Sequence, residues 1–307
     1  MAVNLRIFKE VQIIRRRLYQ GCVLCCFFLA LMEQCLVSSL VPRIQFSYEK
    51  AWEAFVGQQI PQQIWDKCFG DSGSSNLAEY LTVYQMLSAM TTAKGEQPLL
   101  EQWLHTSLSE EELHMLSQWL YKEYPQEFAE IDSCNQKVWG NIILRNSIVF
   151  PVGEVVDNPD AGYVYEDSWG TQRSYGGERR HEGCDIMADV NERGIYPVYS
   201  VTDGIVEKMG WLPQGGYRIG IRSGSGVYYY YAHLASYASE LAEGDEVLAG
   251  TLLGMMGDTG YSSVEGTTGN FPVHLHFGIY LNREDGTEFA INSYYFLRAI
   301  EEGERAN

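Results

Sequence analysis

Four of the six histidines lie in the second half of the chain, and an aspartate follows the first of them by four residues. They are His181, His233, His274 and His276, with the aspartate at Asp185. Imidazole and carboxylate groups are preferred zinc ligands, and zinc hydrolases use three such side chains while keeping one coordination position open for water. Two imidazoles would remain for proton transfer. The set therefore predicts a hydrolytic metal site.

The closest pair of histidines has the spacing of a strand. His274 and His276 lie in an apolar run, residues 271–281, that is rich in aromatic and β-branched residues. Alternate side chains of a strand share a face, so both imidazoles point to the same side. We therefore expect one ring to bind the metal and the other to lie beside the metal-bound water.

A second pair, His181 and Asp185, stands at the start of another predicted strand, and Gly183 lets the backbone turn between them. His181 and Glu182 begin like the helical HExxH zinc signature, but position 185 is an aspartate and a glycine interrupts the segment, so that helical geometry does not apply. Cys184 is an alternative metal ligand. Strand alternation points its side chain away from that of Asp185, which favours a buried apolar role.

His233 follows four consecutive tyrosines, residues 228–231, which predict a third strand. This histidine is the expected partner of the ring in the His-X-His pair that does not bind metal. The tyrosine run is typical of strand packing, and alternate rings facing a groove could in addition stack on a glycan or peptide. Tyr229 and Tyr231 are the candidates for that substrate contact.

Around these residues the sequence resembles the lysostaphin-type, or LytM-like, zinc metalloendopeptidases, which cut peptide bonds in bacterial cell-wall peptidoglycan. The resemblance covers residues 150–296, about half of the chain. It rests on ordered short motifs: FPV at 150–152, DSWGTQR at 167–173, HEGCD at 181–185, DGIV at 203–206, YAHL at 231–234, GDEV at 244–247, GDTG at 257–260 and HLHF at 274–277. The segment between the last two is longer than the usual glycine-rich turn of the family.

The resemblance implies a role for each candidate residue. The implied zinc ligands are His181, Asp185 and His276, the implied catalytic pair is His233 and His274, and Arg173 is assigned to substrate binding. It also implies a Zn²⁺ cofactor and a peptidoglycan peptide as substrate. Zinc would lower the pKa of its bound water towards about 7, so that a hydroxide is available at neutral pH. Which of the two rings then acts as the general base stays open.

All five positions of the implied site are present, which favours an active endopeptidase. The alternative is a non-catalytic member of the same fold that acts as a wall-binding scaffold or as an activator of other wall hydrolases. Nucleic acid is not an expected partner, because a net charge of −18 repels a polyanion.

The N-terminal segment predicts a membrane anchor. A basic tail at residues 1–20 precedes an apolar run at residues 21–41, and twenty helical residues span about 30 Å, enough for a bilayer. Glu33 lies inside the run and weakens the prediction. The expected location is the cell membrane, with a single pass and an extracytoplasmic C-terminal domain. A removed signal peptide and a buried helix of a soluble domain are the alternatives.

Between the anchor and the predicted site, residues 46–130 have helical periodicity. One predicted helix follows Asn76, and a second covers residues 110–124, with Ser109 as its cap and Pro125 as its stop. We interpret this region as a helical spacer or a module that docks a protein partner. The expected fold class is α+β: an N-terminal membrane helix, a small helical domain, and a mainly antiparallel β metallopeptidase domain at residues 145–300.

Overall fold

The computed structural model describes residues 44–69, 76–105, 109–140, 148–156, 158, 160–175 and 177–305. The basic tail predicted at residues 1–20 and the anchor predicted at residues 21–41 lie outside these ranges. Within them, every helix is too short or too polar to cross a bilayer.

The first part of the described chain is helical. Its helices are α1 (Tyr48–Gly57), α2 (Gln62–Phe69), α3 (Leu77–Ser88), α4 (Pro98–Leu104), α5 (Glu110–Glu123) and α6 (Pro125–Trp139). Strand β1 (Gln45–Phe46), which precedes α1 in the chain, pairs with β2 (Met90–Thr91), which follows α3, and the two form a short antiparallel ribbon. Helix α6 continues to Trp139, beyond residue 130, where the helical region was predicted to end.

Local sequence signals explain where these helices begin and end. The predicted helix at residues 110–124 is confirmed as α5, and Ser109 and Glu112 form a reciprocal capping box at its start. Pro125 ends α5 and occupies the first turn of α6, where the missing N–H costs nothing. Helix α3 is buried over most of its length, and α1, α5 and α6 pack around it.

The second part is mainly antiparallel β-sheet, as predicted. Its strands are β3 (Tyr163–Tyr165), β4 (Gln172–Arg173), β5 (Arg179–Arg180), β6 (Cys184–Ala188), β7 (Pro197–Tyr199), β8 (Gly204–Leu212), β9 (Gly216–Ser223), β10 (Tyr228–Tyr237), β11 (Glu246–Val247), β12 (Leu252–Met256), β13 (His274–Asn282) and β14 (Glu288–Ile291). Ten of them form one sheet with the main order β11-β8-β9-β10-β13-β6-β3, in which β12 also pairs with β10 and β7, and β14 pairs with β13. Strands β4 and β5 form a separate hairpin.

A final helix, α7 (Tyr294–Arg305), joins the helices to the sheet. Phe296 of α7 packs on Tyr229 of β10 on one side and on Trp139 of α6 on the other, with ring centroids 5.6 and 6.0 Å apart. Trp52 of α1 contacts Phe289 of β14 at 4.9 Å. The helices and the sheet therefore share one hydrophobic core.

Candidate active site

Three side chains bring potential metal ligands to one point. Nε2 of His181 and Nδ1 of His276 are 2.9 Å apart, and each lies 3.0 Å from Oδ1 of Asp185. A tetrahedral zinc ion with bonds of about 2.0–2.2 Å keeps neighbouring donors roughly 3.3 Å apart. The triangle is close to that size, and two imidazoles with one carboxylate are a donor set that zinc hydrolases use. These residues therefore fit a zinc ion.

The sheet places two of these ligands directly opposite each other. In the antiparallel pair β6 and β13, the register sets His276 against Asp185. His181 precedes β6 and is held by two backbone hydrogen bonds, in which its carbonyl accepts from Gly170 N and its own N–H donates to Thr171 O, both at 2.9 Å. A side chain at Gly183 would meet the His276 ring, with a Cβ only 2.7 Å from its Cε1. The glycine thus leaves room for this ligand.

Further contacts orient the ligands. Nδ1 of His181 faces the backbone oxygen of Ser168 at 3.2 Å, which keeps a proton on Nδ1 and leaves the Nε2 lone pair for a metal. Oδ2 of Asp185 accepts a hydrogen bond of 2.5 Å from Nη2 of Arg173. The guanidinium of Arg173, the residue predicted to bind substrate, pairs with a proposed metal ligand, and its contact with substrate stays a prediction. Because the pairing with Asp185 is tertiary, sequence spacing does not reveal it.

The other two histidines lie beside the triangle and are held in similar ways. Nδ1 of His274 donates to Pro272 O at 2.8 Å, and Nδ1 of His233 donates to Thr259 O at 2.7 Å. Both Nε2 atoms are therefore left with lone pairs. The two ring centroids are 4.7 Å apart, and Nε2 of His274 is 3.9 Å from Oδ1 of Asp185. The structure thus brings all five predicted residues together, as the sequence predicted, while their individual roles stay predictions.

Burial controls the charge of these groups. It lowers the pKa of His233 well below the ordinary value, and the neighbouring His274 and His276 lower it further. Burial also lowers the pKa of His274 and of His276. For Asp185, burial acts to raise the pKa, but hydrogen bonds with His181 and His276 outweigh it and lower the pKa. At neutral pH the imidazoles of His233, His274 and His276 are therefore neutral, and Asp185 is a carboxylate.

The site opens into a cleft of about 400 Å³ on one face of the sheet. Tyr228 and Tyr230 of β10 and Tyr280 of β13 line it. Tyr229 and Tyr231, which we predicted to face the groove, point instead into the core, with 3% and 0% of their surface exposed. The hydroxyl of Tyr231 accepts a hydrogen bond from Val201 N. The predicted substrate contact is therefore wrong for this pair.

A bulge explains the error. Regular alternation would put Tyr231 and Tyr229 on the same face as His233. The register of β10 with β9 shifts between Tyr231 and Leu234, and His233 has a positive φ of 65°. The irregularity moves the preceding residues to the opposite face. Tyr230 thus faces the cleft with the proposed catalytic pair.

Two aromatic side chains that the sequence motifs did not indicate also cover the proposed catalytic pair. Phe271 and Tyr261 contact His233, with ring centroids 4.6 and 5.9 Å away. They lie in the segment between the GDTG and HLHF motifs, whose unusual length was the available signal. Cys184 is fully buried on the other face of β6 and donates to Glu166 O at 3.4 Å. It takes no part in the metal triangle.

Comparisons with known proteins agree with this geometry. The model of peptidase family M23 matches residues 179–288. The chain is 40% identical over 166 residues to the L-Ala–D-Glu endopeptidase of Bacillus subtilis, an alignment that covers 54% of this chain and 47% of that protein. It is 34% identical over 99 residues to the glycyl-glycine endopeptidase ALE-1 of Staphylococcus capitis, covering 32% of this chain and 24% of that protein. The chain thus spans about half the length of the first relative and a quarter of the second.

One solved structure matches far more of the chain. It is a crystal structure of a Ruminococcus gnavus protein, provisionally named as the glycyl-glycine endopeptidase lytM. The TM-score is 0.66 at 36% identity, and the match covers 84% of this chain and 97% of that one. Because the sheet region makes up only about half of the present chain, the match also includes helical residues.

Proposed function

The chain belongs to peptidase family M23, and on that premise we propose that it is a zinc-dependent endopeptidase that hydrolyses peptide bonds of bacterial peptidoglycan. The observation that carries the proposal is the convergence of His181, Asp185 and His276 on one point beside the His233 and His274 rings. Peptidoglycan hydrolases among the relatives support the substrate class. The family model and the donor set support zinc as the metal.

The proposed chemistry assigns the metal and the side chains different tasks. Zinc, when bound by the three ligands, supplies positive charge that polarises a peptide carbonyl and makes a coordinated water more acidic. His181 and Asp185 are kept in position by Ser168 and Arg173. Hydrogen bonds with His181 and His276 also lower the pKa of the Asp185 carboxyl and so hold it in its ionised form.

The His233 and His274 rings move protons. Both are neutral at pH 7, because burial lowers their pKa values, and each carries its free lone pair on Nε2. One Nε2 atom accepts a proton from the attacking water and returns it to the leaving amine nitrogen. Phe271 and Tyr261 cover His233 and keep bulk water from its ring.

We also propose that residues 21–41 anchor the protein in the cell membrane, with the catalytic domain outside the cytoplasm. The basic tail before an apolar run of membrane-spanning length supports this proposal. Peptidoglycan lies outside the membrane, so the proposed substrate requires the same orientation. Protease treatment of intact cells tests it: the catalytic domain is digested if it lies outside, and it survives if it lies in the cytoplasm.

The activity is tested with the full-length, zinc-loaded protein and peptidoglycan from several wall types. We expect soluble muropeptides with new amino termini, identified by mass spectrometry, and a release from the His274→Ala variant that is about 10²- to 10⁴-fold slower. Tight binding to every wall without release of any peptide would instead establish the non-catalytic scaffold.

A further inference from the structure

The cleft carries positive charge in a strongly acidic chain. The protein has 40 acidic and 22 basic residues, yet in the cleft beside the metal triangle three carboxylates are outnumbered by four arginines. They are Arg173, Arg179, Arg180 and Arg218. Such a local excess of one sign attracts ligands of the opposite charge.

Three of these arginines, Arg179, Arg180 and Arg218, form no ion pair with a carboxylate in the part of the chain that the structure describes. Arg173 binds Asp185, and Arg222, four residues after Arg218 on β9, binds both oxygens of Glu207. By contrast, Nε of Arg179 and Nη1 of Arg218 are buried, and neither has a hydrogen-bond partner among the described residues. A buried N–H without a partner costs free energy, so the described residues do not satisfy either guanidinium fully.

The β4–β5 hairpin places the Arg179 guanidinium opposite another positive charge. Arg173 and Arg179 are direct cross-strand partners. Like charges in that position repel each other. Asp185 neutralises only Arg173, so the hairpin presents a second, uncompensated guanidinium to the cleft.

Arg218 reaches the same part of the cleft from the sheet. Its strand β9 pairs with β10, which carries Tyr228 and Tyr230. The positive charges of Arg218 and Arg179 both act on the Tyr230 hydroxyl and oppose the effect of burial, which raises its pKa. Both guanidinium groups therefore lie near enough to Tyr230 to act on its charge, and all three residues line the same cleft.

We propose that Arg179 and Arg218 form a carboxylate-binding subsite beside Tyr230, and that the substrate is an acidic peptide with a free carboxylate close to the scissile bond. Guanidinium groups donate paired hydrogen bonds that match the two oxygens of a carboxylate. The inference rests on the proposed endopeptidase function and names the substrate class of that same site. It favours an acidic peptide stem over a neutral glycine bridge.

The carboxylates of the cleft set a limit on the ligand charge. Glu182 and Glu288 also line it, and Glu288 lies 3.9 Å from Arg222. These two carboxylates would repel a highly charged polyanion in the cleft. The subsite therefore fits a single carboxylate.

The test uses two peptides that differ by one charge. The first is L-Ala-γ-D-Glu-L-Lys with a free α-carboxylate on the glutamate, the second is the same peptide with an α-carboxamide, and pentaglycine is the neutral reference. For the full-length, zinc-loaded protein we expect kcat/KM for the carboxylate to exceed that for the carboxamide by about ten-fold or more, because charged hydrogen bonds are the stronger ones.

Arginine variants then locate the preference. Arg218→Gln and Arg179→Gln should each reduce the carboxylate-to-carboxamide ratio about ten-fold, mainly through KM, and Arg218→Lys should reduce it less. Arg222→Gln, on the same strand but already bound by Glu207, should keep the wild-type ratio. Circular dichroism confirms that each variant is folded.

The outcomes separate the two proposals. A wild-type ratio of one or less, or an unchanged ratio in both Arg218→Gln and Arg179→Gln, overturns the subsite and leaves the endopeptidase function standing. If the wild type cleaves no peptide and no wall, the proposed function fails. Calorimetric binding of γ-D-Glu-L-Lys and its carboxamide then decides the subsite: an arginine-dependent preference for the carboxylate supports it, and equal binding overturns it.

Discussion

Arg173 donates to Oδ2 of Asp185 at 2.5 Å, on the side of the carboxylate away from Oδ1, which faces His181 and His276. One residue of the β4–β5 hairpin thereby fixes the orientation of a proposed metal ligand on β6. The carboxylate cannot rotate without losing this bond. The geometry of the triangle thus depends on a side chain outside it.

We expect Arg173→Gln to weaken zinc binding by roughly 10- to 100-fold, the usual effect of removing a group that orients a metal ligand. Competition with a chromogenic chelator measures the affinity. Arg180→Gln removes an equal charge from the same hairpin and serves as the control. Equal zinc affinities for the two variants would show that the contact with Asp185 is unimportant.

The two histidines of β13 should separate metal binding from proton transfer. His276→Ala removes a ligand and should abolish both zinc binding and turnover. His274→Ala should retain zinc but lose about 10²- to 10⁴-fold in turnover, the range expected for a general acid–base group. Metal analysis and peptide hydrolysis on the same samples measure both quantities. Loss of zinc from His274→Ala would contradict the assignment.

The buried His233 makes the stability of the zinc-free protein depend on pH. Burial lowers the pKa of His233 in the folded state, while the unfolded chain takes up this proton near pH 6.5. The unfolded state therefore binds more protons below about pH 6.5, and the free energy of unfolding falls as the pH drops through this range. Above it, the contribution is fully present.

Thermal melts of the zinc-free protein between about pH 7.5 and about pH 5 measure the effect. The wild-type Tm should fall more steeply on acidification than that of His233→Asn, in which asparagine tolerates the positive φ. His105→Asn, at an exposed position, is the control. Parallel curves for wild type and His233→Asn would rule out the prediction.

The five site residues illustrate what the sequence could predict. Alternation on β13 placed His274 and His276 on one face, and the short spacing from His181 to Asp185 placed both near the start of β6. These are local properties. The β10 bulge, in contrast, is stabilised by pairing with β9 and by His233 N donating to Gly215 O at 2.7 Å. That contact joins distant segments, so the tyrosine run alone indicated the wrong face.

Paired phenylalanine variants test this correction on adjacent residues. Tyr231→Phe leaves the buried Val201 N–H without its acceptor and should lower the free energy of unfolding by about 1–3 kcal/mol, with KM unchanged. Tyr230→Phe alters the cleft floor and should raise KM with a smaller loss of stability. Chemical denaturation and steady-state kinetics measure the two effects. A raised KM in Tyr231→Phe with the larger loss of stability in Tyr230→Phe would instead show that Tyr231 faces the cleft, as the sequence predicted.

Gly183 should not tolerate even alanine. The added Cβ would come within 2.7 Å of both the His276 ring and Phe277 O, and the backbone oxygen cannot move aside. We expect a loss of about 1–3 kcal/mol, typical of overpacking, together with weaker zinc binding as the ring is displaced. Gly224→Ala, where no atom lies within 4 Å, is the control. Wild-type zinc affinity in Gly183→Ala would contradict the steric argument.

The packing of Trp139 between Gln58 and Phe296 affects how the catalytic part can be prepared. Trp52 contacts Phe289 of β14, and Trp139 contacts Phe296 of α7. A fragment that starts near residue 148 lacks both tryptophans and would expose these aromatic surfaces to water. Such a fragment should aggregate during purification. Recombinant versions made for crystallography or inhibitor screening should therefore begin before α1.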